Sequence, residues 1–530
     1  MPRPYTEVLA RQQNVLWGDR YARTMAQALF TAGLHDTPTT FQAYVRKNPF
    51  DGAYMMTAGQ NIVAEWLSEQ WEVSKEVIDY LRDETVLDPA TGKQKPLFSE
   101  EFLDMVQNSP LQLSIEAMPE GSLAFPNEPI FRVTGPAWQA LWVETPITNS
   151  INSQTLLATL TSRVVNVANG QPVVENGLRR SHSIGGVAEA RATFVGGATG
   201  TSNDQAGFFY QIPAYGTMAH AFVMFFDNEE ESFRTYMKSL PQNATMLIDT
   251  YDTLKGVRNA VKVAKEEGVA LKGVRLDSGD LAHLSREVRT ILDEAGFTKT
   301  QIIGSNNLDE FKVDQIKNRE NGAIELWALG TRLATTDMDN GPSHASLGAV
   351  YKLATVGKGL DAAGFNQLRE DIKAGKVALD PTVIAEKIKL SEQPAKTSIP
   401  GEVGVVRLLT EDGMLNGSIL VPHLAMSAID PATGRLSRDI TSVRQDDPDR
   451  MKVFKAGTRA YDPLRPMFAF GKLVDGAKET VQVARARGFE EMARLHPSHK
   501  RLLNPHTFVV GLEKSLYEKR RDMMAAIRNA

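Results

Sequence analysis

The chain has 530 residues, of which 42% are hydrophobic and 23% are charged. These proportions are typical of a globular protein and exclude a fibrous, collagen-like or wholly disordered chain. The 59 basic and 64 acidic residues give a formal net charge of −5, which excludes a broad nucleic-acid-coating surface but not a local basic pocket. Because the sequence has no cysteine, disulfides, thiolate metal sites and a cysteine nucleophile are excluded.

The first 34 residues lack the features of a targeting signal, because Arg, Asp and Gln interrupt their apolar residues. No run approaches the roughly 18 apolar residues that a membrane helix needs. We therefore expect a cytoplasmic protein with neither a membrane nor a nucleic acid as partner.

Residues 1–148 predict a mixed α+β domain. Helical segments such as 25–32 and 61–70 alternate here with strand-like pieces such as 111–117 and 130–133, separated by turn residues.

Residues 149–356 predict an α/β barrel that carries the catalytic site. Four short apolar strands end at Asp249, Asp277, Ser305 and Gly330, roughly every 25 to 28 residues. This period is typical of repeated βα units, which form a parallel sheet, here with barrel-like closure. The chemistry of such barrels lies at the carboxyl ends of the strands, where all four residues fall.

The remaining chain divides into two segments. Residues 357–400 are rich in Lys and Gly and weakly patterned, which predicts an insertion or linker. Residues 401–530 predict short strands followed by a helix-rich tail.

The densest polar cluster is the strand end 275–280. Arg275 and Asp277 are two residues apart on a strand and so share a face that points into the barrel or its mouth. Gly279 and Asp280 add a tight turn at a helix start, which favours an anion site. The alternative is a structural ion pair that caps a layer of the barrel.

Acids that converge at these strand ends could hold Mg²⁺ or the hydroxyls of a sugar. The candidate metal ligands, acting through water, are Asp249, Asp277 and Asp280. Asp249 could instead cap the next helix, and Asp252 is expected in the first turn of that helix.

The segment Gly216–His220 precedes an apolar run, residues 221–226, that predicts a buried helix. Thr217 is expected to cap this helix and His220 to lie in its first turn. The positive field of a helix N-terminus favours an anion on or near the ring of His220. The alternative is a structural histidine.

Two further strand ends, 176–180 and 200–203, are polar and contain glycine, as does 330–331 at the end of the fourth strand above. Together with the clusters above they predict a rim with two arginines, small donors, acids and one histidine. Such a rim suits an anionic, phosphate-bearing sugar substrate.

The sequence resembles the nicotinate phosphoribosyltransferases, which are type II phosphoribosyltransferases of NAD salvage. The matching stretches follow the family order and span nearly the whole chain: Arg46–Phe50, Phe125–Pro129, Gly177–Arg180, Gly200–Asn203, Gly216–His220, Asp249–Lys255, Lys272–Asp280, Gly348–Leu353 and Leu495–Arg501.

The resemblance implies a type II phosphoribosyltransferase α/β barrel packed on a mixed α+β domain, built from the N-terminal part and the C-terminal region. It implies a homodimer with active sites shared between subunits. The expected reaction joins nicotinate to 5-phosphoribosyl-1-pyrophosphate, giving nicotinate mononucleotide and pyrophosphate. ATP is expected to be hydrolysed alongside, through a phosphohistidine, with Mg²⁺ as cofactor.

The resemblance also assigns roles around the barrel. His220 resembles the histidine that takes the phosphoryl group, and Arg275 the residue that holds the nicotinate carboxylate, with Thr217 in the same pocket. Asp277, the second catalytic candidate, and Asp249 would face the ribose or order Mg²⁺.

Other substrate contacts are implied in the same way. Thr331 would bind the 5′-phosphate, and Arg179 is a further substrate-binding candidate. Tyr21 resembles the tyrosine that stacks on the pyridine from the other subunit. Arg46 and Lys47 resemble phosphate contacts that cross the subunit interface.

Two positions depart from the family pattern. Asn176 stands where some relatives, notably the nicotinamide branch, have a Phe that sandwiches the pyridine. Asn307 stands where an Asp is common, which removes one charge near the ribose site.

The alternatives are a nicotinamide phosphoribosyltransferase on the same fold, a non-catalytic phosphoribosyl-binding relative, and a metal-dependent barrel hydrolase. Ser202 favours the acid substrate, because the nicotinamide branch has an Asp there that would repel a carboxylate. His220 argues against a simple binder, which needs no phosphoryl acceptor. The barrel hydrolase lacks the His ligands that most such sites use.

Overall fold

The computed structural model describes residues 14–183, 185–338, 344–393, 396–425 and 427–529. Contacts divide these residues into two compact units. Unit 1 combines the described parts of Met1–Leu156, Ser346–Arg501 and Pro505–Ala530, and unit 2 those of Leu157–Ala345 and Leu502–Asn504. The N-terminal and C-terminal parts of the chain therefore share one unit.

Unit 2 is built on a six-stranded sheet in which every neighbouring pair is parallel. Its strands, in spatial order, are Thr245–Leu247, Gly273–Leu276, Gln301–Gly304, Leu326–Leu329, Val173–Glu175 and Gly200–Thr201. The predicted βα repeat is confirmed, and so is the α/β fold class.

Helices connect these strands and pack by their apolar faces. They are Gly185–Val195, Asp204–Tyr210, His220–Met224, Glu229–Ser239, Thr253–Glu267, Leu281–Glu294, Glu310–Asp314 and Thr331–Thr335, with a π-helical turn at Gln315–Arg319 and 3₁₀ turns at Leu178–Arg180 and Pro241–Asn243. The long helix Glu144–Ala168 contains the boundary between the units.

Two acids cap helices of unit 2 that follow strands of its parallel sheet. Asp280 accepts a hydrogen bond from the His283 N–H at 3.0 Å, as the sequence predicts. The expectation for Asp252 was wrong, because its carboxylate accepts from the Lys255 N–H at 2.7 Å and so caps the helix instead of lying in its first turn. Asp249 is thereby left free for other contacts.

Unit 1 contains a seven-stranded sheet whose paired strands are antiparallel. Its strands, in spatial order, are Ile384–Glu386, Ala349–Gly357, Pro38–Val45, Pro129–Pro136, Ser114–Ala117, Arg465–Ala469 and Lys472–Leu473. Both halves of the sequence thus contribute to one sheet.

A second, six-stranded sheet of unit 1 comes entirely from the C-terminal region. Its order is Met451–Phe454, Ile440–Arg444, Val510–Glu513, Leu415–Pro422, Val403–Leu409 and Ala460–Tyr461, and only the pair of Leu415–Pro422 with Val510–Glu513 is parallel. Three two-stranded pairs complete the described strands: Met55–Met56 with Leu123–Ala124, Thr85–Leu87 with Gln94–Pro96, and Ile429–Asp430 with Arg435–Leu436.

The helices of unit 1 are Arg20–Thr31, Gln60–Glu69, Lys75–Arg82, Glu100–Asn108, Ala137–Trp142, Ala362–Lys373, Val481–Arg494 and Lys514–Asn529, with a 3₁₀ turn at Pro497–His499. Among the described residues of both units, no helix is long and apolar enough to span a membrane.

The segment 357–400, expected as an insertion or linker, contributes to the core of unit 1. Strand Ile384–Glu386 pairs with Ala349–Gly357, and Phe365 on the preceding helix is fully buried. Arg369 on that helix forms a buried ion pair with Glu402 at 2.5 Å. The barrel segment was expected to end at residue 356, but the strand before that point belongs to the sheet of unit 1.

Gly256 allows a close approach of helix Thr253–Glu267 to the strand that leads to Asp249. A Cβ at this position would overlap the carbonyl oxygen of Ile248, which is backbone and cannot rotate away. The helix can therefore pack at this distance only with glycine at position 256.

We predict that Gly256→Ala destabilises the protein by about 1–3 kcal/mol, because the added methyl group forces the helix away from the strand. Urea unfolding followed by circular dichroism measures the effect. Gly185→Ala is the matched control, since its Cβ would meet only Glu189 Oε1, at 3.6 Å. That substitution should be neutral or stabilising, and an equal loss in both variants would contradict the prediction.

Candidate active site

The parallel sheet of unit 2 brings the polar strand ends together along one edge. Asp249, Asp277, Ser305 and Gly330 each follow a strand whose neighbours run in the same direction. Because carboxyl ends of parallel strands meet at the same edge, residues far apart in sequence become neighbours. The placement of these residues at one edge was correctly predicted.

A cavity of about 850 Å³ opens along the inner face of this sheet. Alternate residues of the strands line it, as the two-residue period of a strand requires. Of the candidate residues, six contribute to the lining: Arg179, Ser202, Thr217, Arg275, Asp277 and Thr331.

Arg275 and Thr217 form a direct contact in the cavity. Arg275 Nη1 donates a hydrogen bond to Thr217 Oγ1 at 3.0 Å. Burial lowers the pKa of Arg275, the charges of Asp277 and Asp249 oppose that shift, and Arg179 adds to it. Two arginines that approach one another in a partly buried cavity favour the binding of an anion between them.

Asp249 organises the turn that carries Asp277. Asp249 Oδ2 accepts hydrogen bonds from the Asp277 N–H at 2.8 Å and from Ser278 Oγ at 2.7 Å. On the other side, Ser305 Oγ donates to Asp277 Oδ1. Three neighbouring strands are therefore joined by hydrogen bonds at their carboxyl ends, and Asp277 Oδ2 is left to face His220.

His220 lies between Thr250 and Asp277. Its Nδ1 is 3.1 Å from Thr250 Oγ1, and its Nε2 is 3.6 Å from Asp277 Oδ2. The side chain is 41% exposed, so a substrate can reach the ring. A carboxylate beside one ring nitrogen and a hydroxyl beside the other can orient the imidazole.

The local structure around His220 differs from the sequence expectation. The helix begins at His220 itself and Ala219 is its N-cap, whereas Thr217 bonds to Arg275 instead. The prediction of a buried helix over 221–226 was also wrong. The helix ends at Met224, and Phe225 is 84% exposed.

The remaining candidates, Tyr21, Arg46 and Lys47, belong to unit 1. Tyr21 is 45% exposed, and burial followed by the charge of Glu144 raises its pKa. Arg46 Nη2 donates to the Lys396 carbonyl at 3.3 Å, and Lys47 is exposed.

Tyr215 is a lining residue that sequence reasoning missed. It directly precedes the Gly216–His220 segment and lines the same cavity as Asn176, the position where some relatives have an aromatic ring. The aromatic residue directly before the Gly216–His220 segment was the available signal.

The acids at this edge fit Mg²⁺ only in part. Asp249 Oδ1 is buried and forms no hydrogen bond within the described residues, and Asp277 supplies a second carboxylate. Asp280 is engaged as a helix cap. No group of three or more acidic or histidine side chains suited to a metal occurs in the described part of the chain. Since Mg²⁺ commonly uses one or two carboxylates together with substrate phosphates, the pair Asp249 and Asp277 is compatible with it.

Comparison with known proteins places the chain in a family. Residues 16–152 match the model of the nicotinate phosphoribosyltransferase N-terminal domain, and residues 405–520 match that of its C-terminal domain. The chain is 33% identical over 509 residues to nicotinate phosphoribosyltransferase pncB2 of Mycobacterium tuberculosis (strain ATCC 25618 / H37Rv), covering 95% of this chain and 99% of the relative. The chain belongs to the nicotinate phosphoribosyltransferase family.

Two further comparisons agree with this membership. The nicotinate phosphoribosyltransferase of Bacillus subtilis (strain 168) is 35% identical over 397 residues, which are 74% of this chain and 73% of the relative. The crystal structure of human nicotinic acid phosphoribosyltransferase superposes with a TM-score of 0.74 at 23% identity, covering 96% of this chain and all of the other, which establishes the shared fold. The protein is thus an enzyme of this family, and the type II phosphoribosyltransferase fold expected from the sequence is confirmed.

Proposed function

We propose that this enzyme joins nicotinate to 5-phosphoribosyl-1-pyrophosphate in NAD salvage, and that ATP hydrolysis through a phosphorylated His220 accompanies turnover. The observation that carries the proposal is the arrangement along one sheet edge. A cavity lined by three arginines, Arg179, Arg180 and Arg275, lies beside a histidine and carboxylate pair. Family membership supports the reaction, and this geometry supports the residue roles.

Arg275 is the proposed partner of the nicotinate carboxylate. Its Nη1 already bonds to Thr217, and its Nε is buried without a hydrogen bond in the described residues. A guanidinium pairs with a carboxylate through two parallel N–H···O bonds, which a neutral amide cannot reproduce because its NH₂ is a donor. Ser202, which lines the same cavity as Arg179, adds a hydroxyl and no opposing charge.

His220 is the proposed phosphoryl acceptor. In the first step a ring nitrogen forms a bond to the γ-phosphorus of ATP, and the bond from that phosphorus to the bridging oxygen of ADP breaks. Water later attacks the same phosphorus, which releases phosphate and returns the imidazole. Asp277 and Thr250 orient the ring through these steps.

Mg²⁺ would be held by Asp249 and Asp277 together with the phosphates and would neutralise their charge. Thr331, at the start of a helix beside the cavity, is proposed to bind the 5′-phosphate.

We further propose a homodimer in which Tyr21, Arg46 and Lys47 reach the barrel of the partner subunit. Unit 2 exposes aromatic side chains that an isolated subunit would leave in water. Phe208 is 81% exposed and contacts Phe209, and Phe225 is 84% exposed and contacts Phe226. Large exposed aromatic groups are typical of surfaces that are covered by another protein.

We predict that His220→Ala abolishes the ATP hydrolysis that accompanies turnover. The wild type should incorporate acid-labile phosphate from γ-labelled ATP, and the variant should not. His283→Ala is the matched control, because His283 is also an exposed histidine in the first turn of a helix of unit 2. Labelling of the His220→Ala protein would show that another residue accepts the phosphoryl group.

We predict that a Tyr21→Ala chain mixed with an Arg275→Ala chain regains activity. In a dimer with shared sites, each mixed dimer contains one site with both defects and one with neither. Steady-state turnover after subunit exchange measures the recovery, and each variant alone is the control. If mass spectrometry shows mixed dimers that remain as inactive as the single variants, the sites are not shared.

We predict that the wild type prefers nicotinate to nicotinamide and that Ser202→Asp shifts this preference. A half-paired guanidinium should cost about 1–3 kcal/mol, or roughly tenfold to a hundredfold in kcat/KM, for the amide substrate. The new carboxylate should repel nicotinate and so lower its kcat/KM.

Values of kcat/KM for both substrates on wild type, Ser202→Asp and Ser202→Ala provide the test. The alanine variant separates the effect of charge from loss of the hydroxyl. Equal use of both substrates by the wild type, or an unchanged ratio in Ser202→Asp, would favour the nicotinamide reaction instead.

A further inference from the structure

Glu175 is a buried acid at the end of strand Val173–Glu175, with only 2% of its surface exposed. Its neighbours Val174 and Asn176 line the cavity, whereas Glu175 does not. Because side chains alternate along a strand, Glu175 lies on the opposite face of the sheet, where contact with the substrate is excluded. An unpaired acid is rarely buried in this way, so its contacts call for an explanation.

The carboxylate of Glu175 accepts two hydrogen bonds, one from the loop after its own strand and one from the last residue of the neighbouring strand. Oε1 accepts from the Gly177 N–H, and Oε2 accepts from Thr201 Oγ1 at 2.5 Å. The backbone carbonyl of Glu175 also accepts from the Ser202 N–H at 2.8 Å. One side chain therefore holds the loop after its own strand at Gly177 and the loop after the neighbouring strand at Thr201, the last residue of that strand.

Each of these loops carries a candidate substrate contact. Gly177 begins the turn that holds Arg179, and its carbonyl accepts from the Arg180 N–H at 2.7 Å. Thr201 directly precedes Ser202, and its Oγ1 accepts in turn from the Asn203 N–H at 2.9 Å. The hydrogen bonds of Glu175 thus set how far apart Arg179 and Ser202 lie.

The turn that begins at Gly177 also packs against the segment 330–334, which follows another strand of the sheet. A Cβ at Gly177 would come within 2.6 Å of Ala334 Cβ and 2.9 Å of the Gly330 carbonyl oxygen. The turn therefore packs closely against the segment that contains Thr331, the proposed phosphate contact. A displacement of Gly177 would be transmitted to this segment.

We propose that Glu175 is a positioning residue that holds the Arg179 and Ser202 loops at the separation required by the nicotinate carboxylate. This inference rests on the proposed function, because it assigns Arg179 and Ser202 to the substrate. Glu175 acts through these residues and touches no substrate itself. A purely structural role would instead change the stability of unit 2 and leave substrate affinity as it is.

Two substitutions at position 175 separate these roles. Glu175→Gln retains a carbonyl that can accept from Gly177 and an NH₂ that can donate to Thr201 Oγ1, so both loops stay joined. Glu175→Leu has a similar volume but removes both side-chain bonds, while the bond from the Ser202 N–H to the backbone carbonyl of residue 175 remains. We expect the KM for nicotinate to change less than about threefold in Glu175→Gln and to rise at least about tenfold in Glu175→Leu, with kcat per folded molecule changed far less.

A second pair of variants tests the same inference if Glu175→Leu does not fold. Thr201→Val removes the hydroxyl that bonds to Glu175, together with the bond that this hydroxyl accepts from the Asn203 N–H, and leaves the Glu175 bond to Gly177 in place. Thr300→Val removes a buried bond outside these loops, from Thr300 Oγ1 to the Leu271 carbonyl at 2.6 Å, before a strand begins. Thr201→Val should raise the KM for nicotinate about threefold to tenfold. Thr300→Val should lower Tm without changing KM.

Kinetics with nicotinate and nicotinamide, and Tm, are measured for all five proteins. An unchanged KM in Thr201→Val and Glu175→Leu, with only Tm lowered, would overturn the positioning role while the proposed function stands. An equal rise in KM in Glu175→Gln and Glu175→Leu would also overturn it, because the hydrogen bonds that Gln retains would then have no effect on substrate affinity. A wild type that does not use nicotinate would contradict the proposed function, and this inference with it.

Discussion

The parallel register of the six strands in unit 2 is the constraint on which the candidate site depends. Parallel pairing places every carboxyl end at one edge, and the alternation along each strand decides which side chains enter the cavity. Arg275 and Asp277 both line the cavity because they are two residues apart at the end of one strand. Glu175 faces the opposite side of the sheet because it directly follows Val174, which lines the cavity. A register shift of one residue in any strand would turn its cavity-lining side chains to the opposite face and bring the others into the cavity.

Short hydrogen-bonded links then convert this edge into a defined site. Asp249 holds the backbone of the Asp277 turn, Ser305 holds the Asp277 side chain, and Glu175 joins two more loops. Each link connects adjacent strands, so together they join most of the sheet edge. Charged groups fixed before substrate arrives need little reorganisation during the reaction, which is how such sites stabilise transition states.

Much of this arrangement could be predicted from the sequence, because strand periodicity and polar strand ends are local signals. The repeat of Asp249, Asp277 and Ser305 predicted neighbouring strands, and the motifs identified the family. Thr217 was misassigned because a threonine before a short apolar run resembles a helix cap, whereas a long-range bond to Arg275 takes its hydroxyl. The packed segment 357–400 was missed since its core contacts, such as Arg369 with Glu402, join residues that no local pattern connects.

The discontinuous sheet of unit 1 has a consequence for synthesis on the ribosome. Strand Pro38–Val45 pairs with Ala349–Gly357, which emerges about 300 residues later. At typical elongation rates this edge waits roughly 15 to 60 s for its partner, whereas nearly all of unit 2 is made without interruption in between. Unit 2 can therefore fold while strand Pro38–Val45 is paired on one side only, with Pro129–Pro136, and its other edge remains open to aggregation. Nascent chains of this protein should accordingly depend on chaperones that shield strand edges until the C-terminal half is complete.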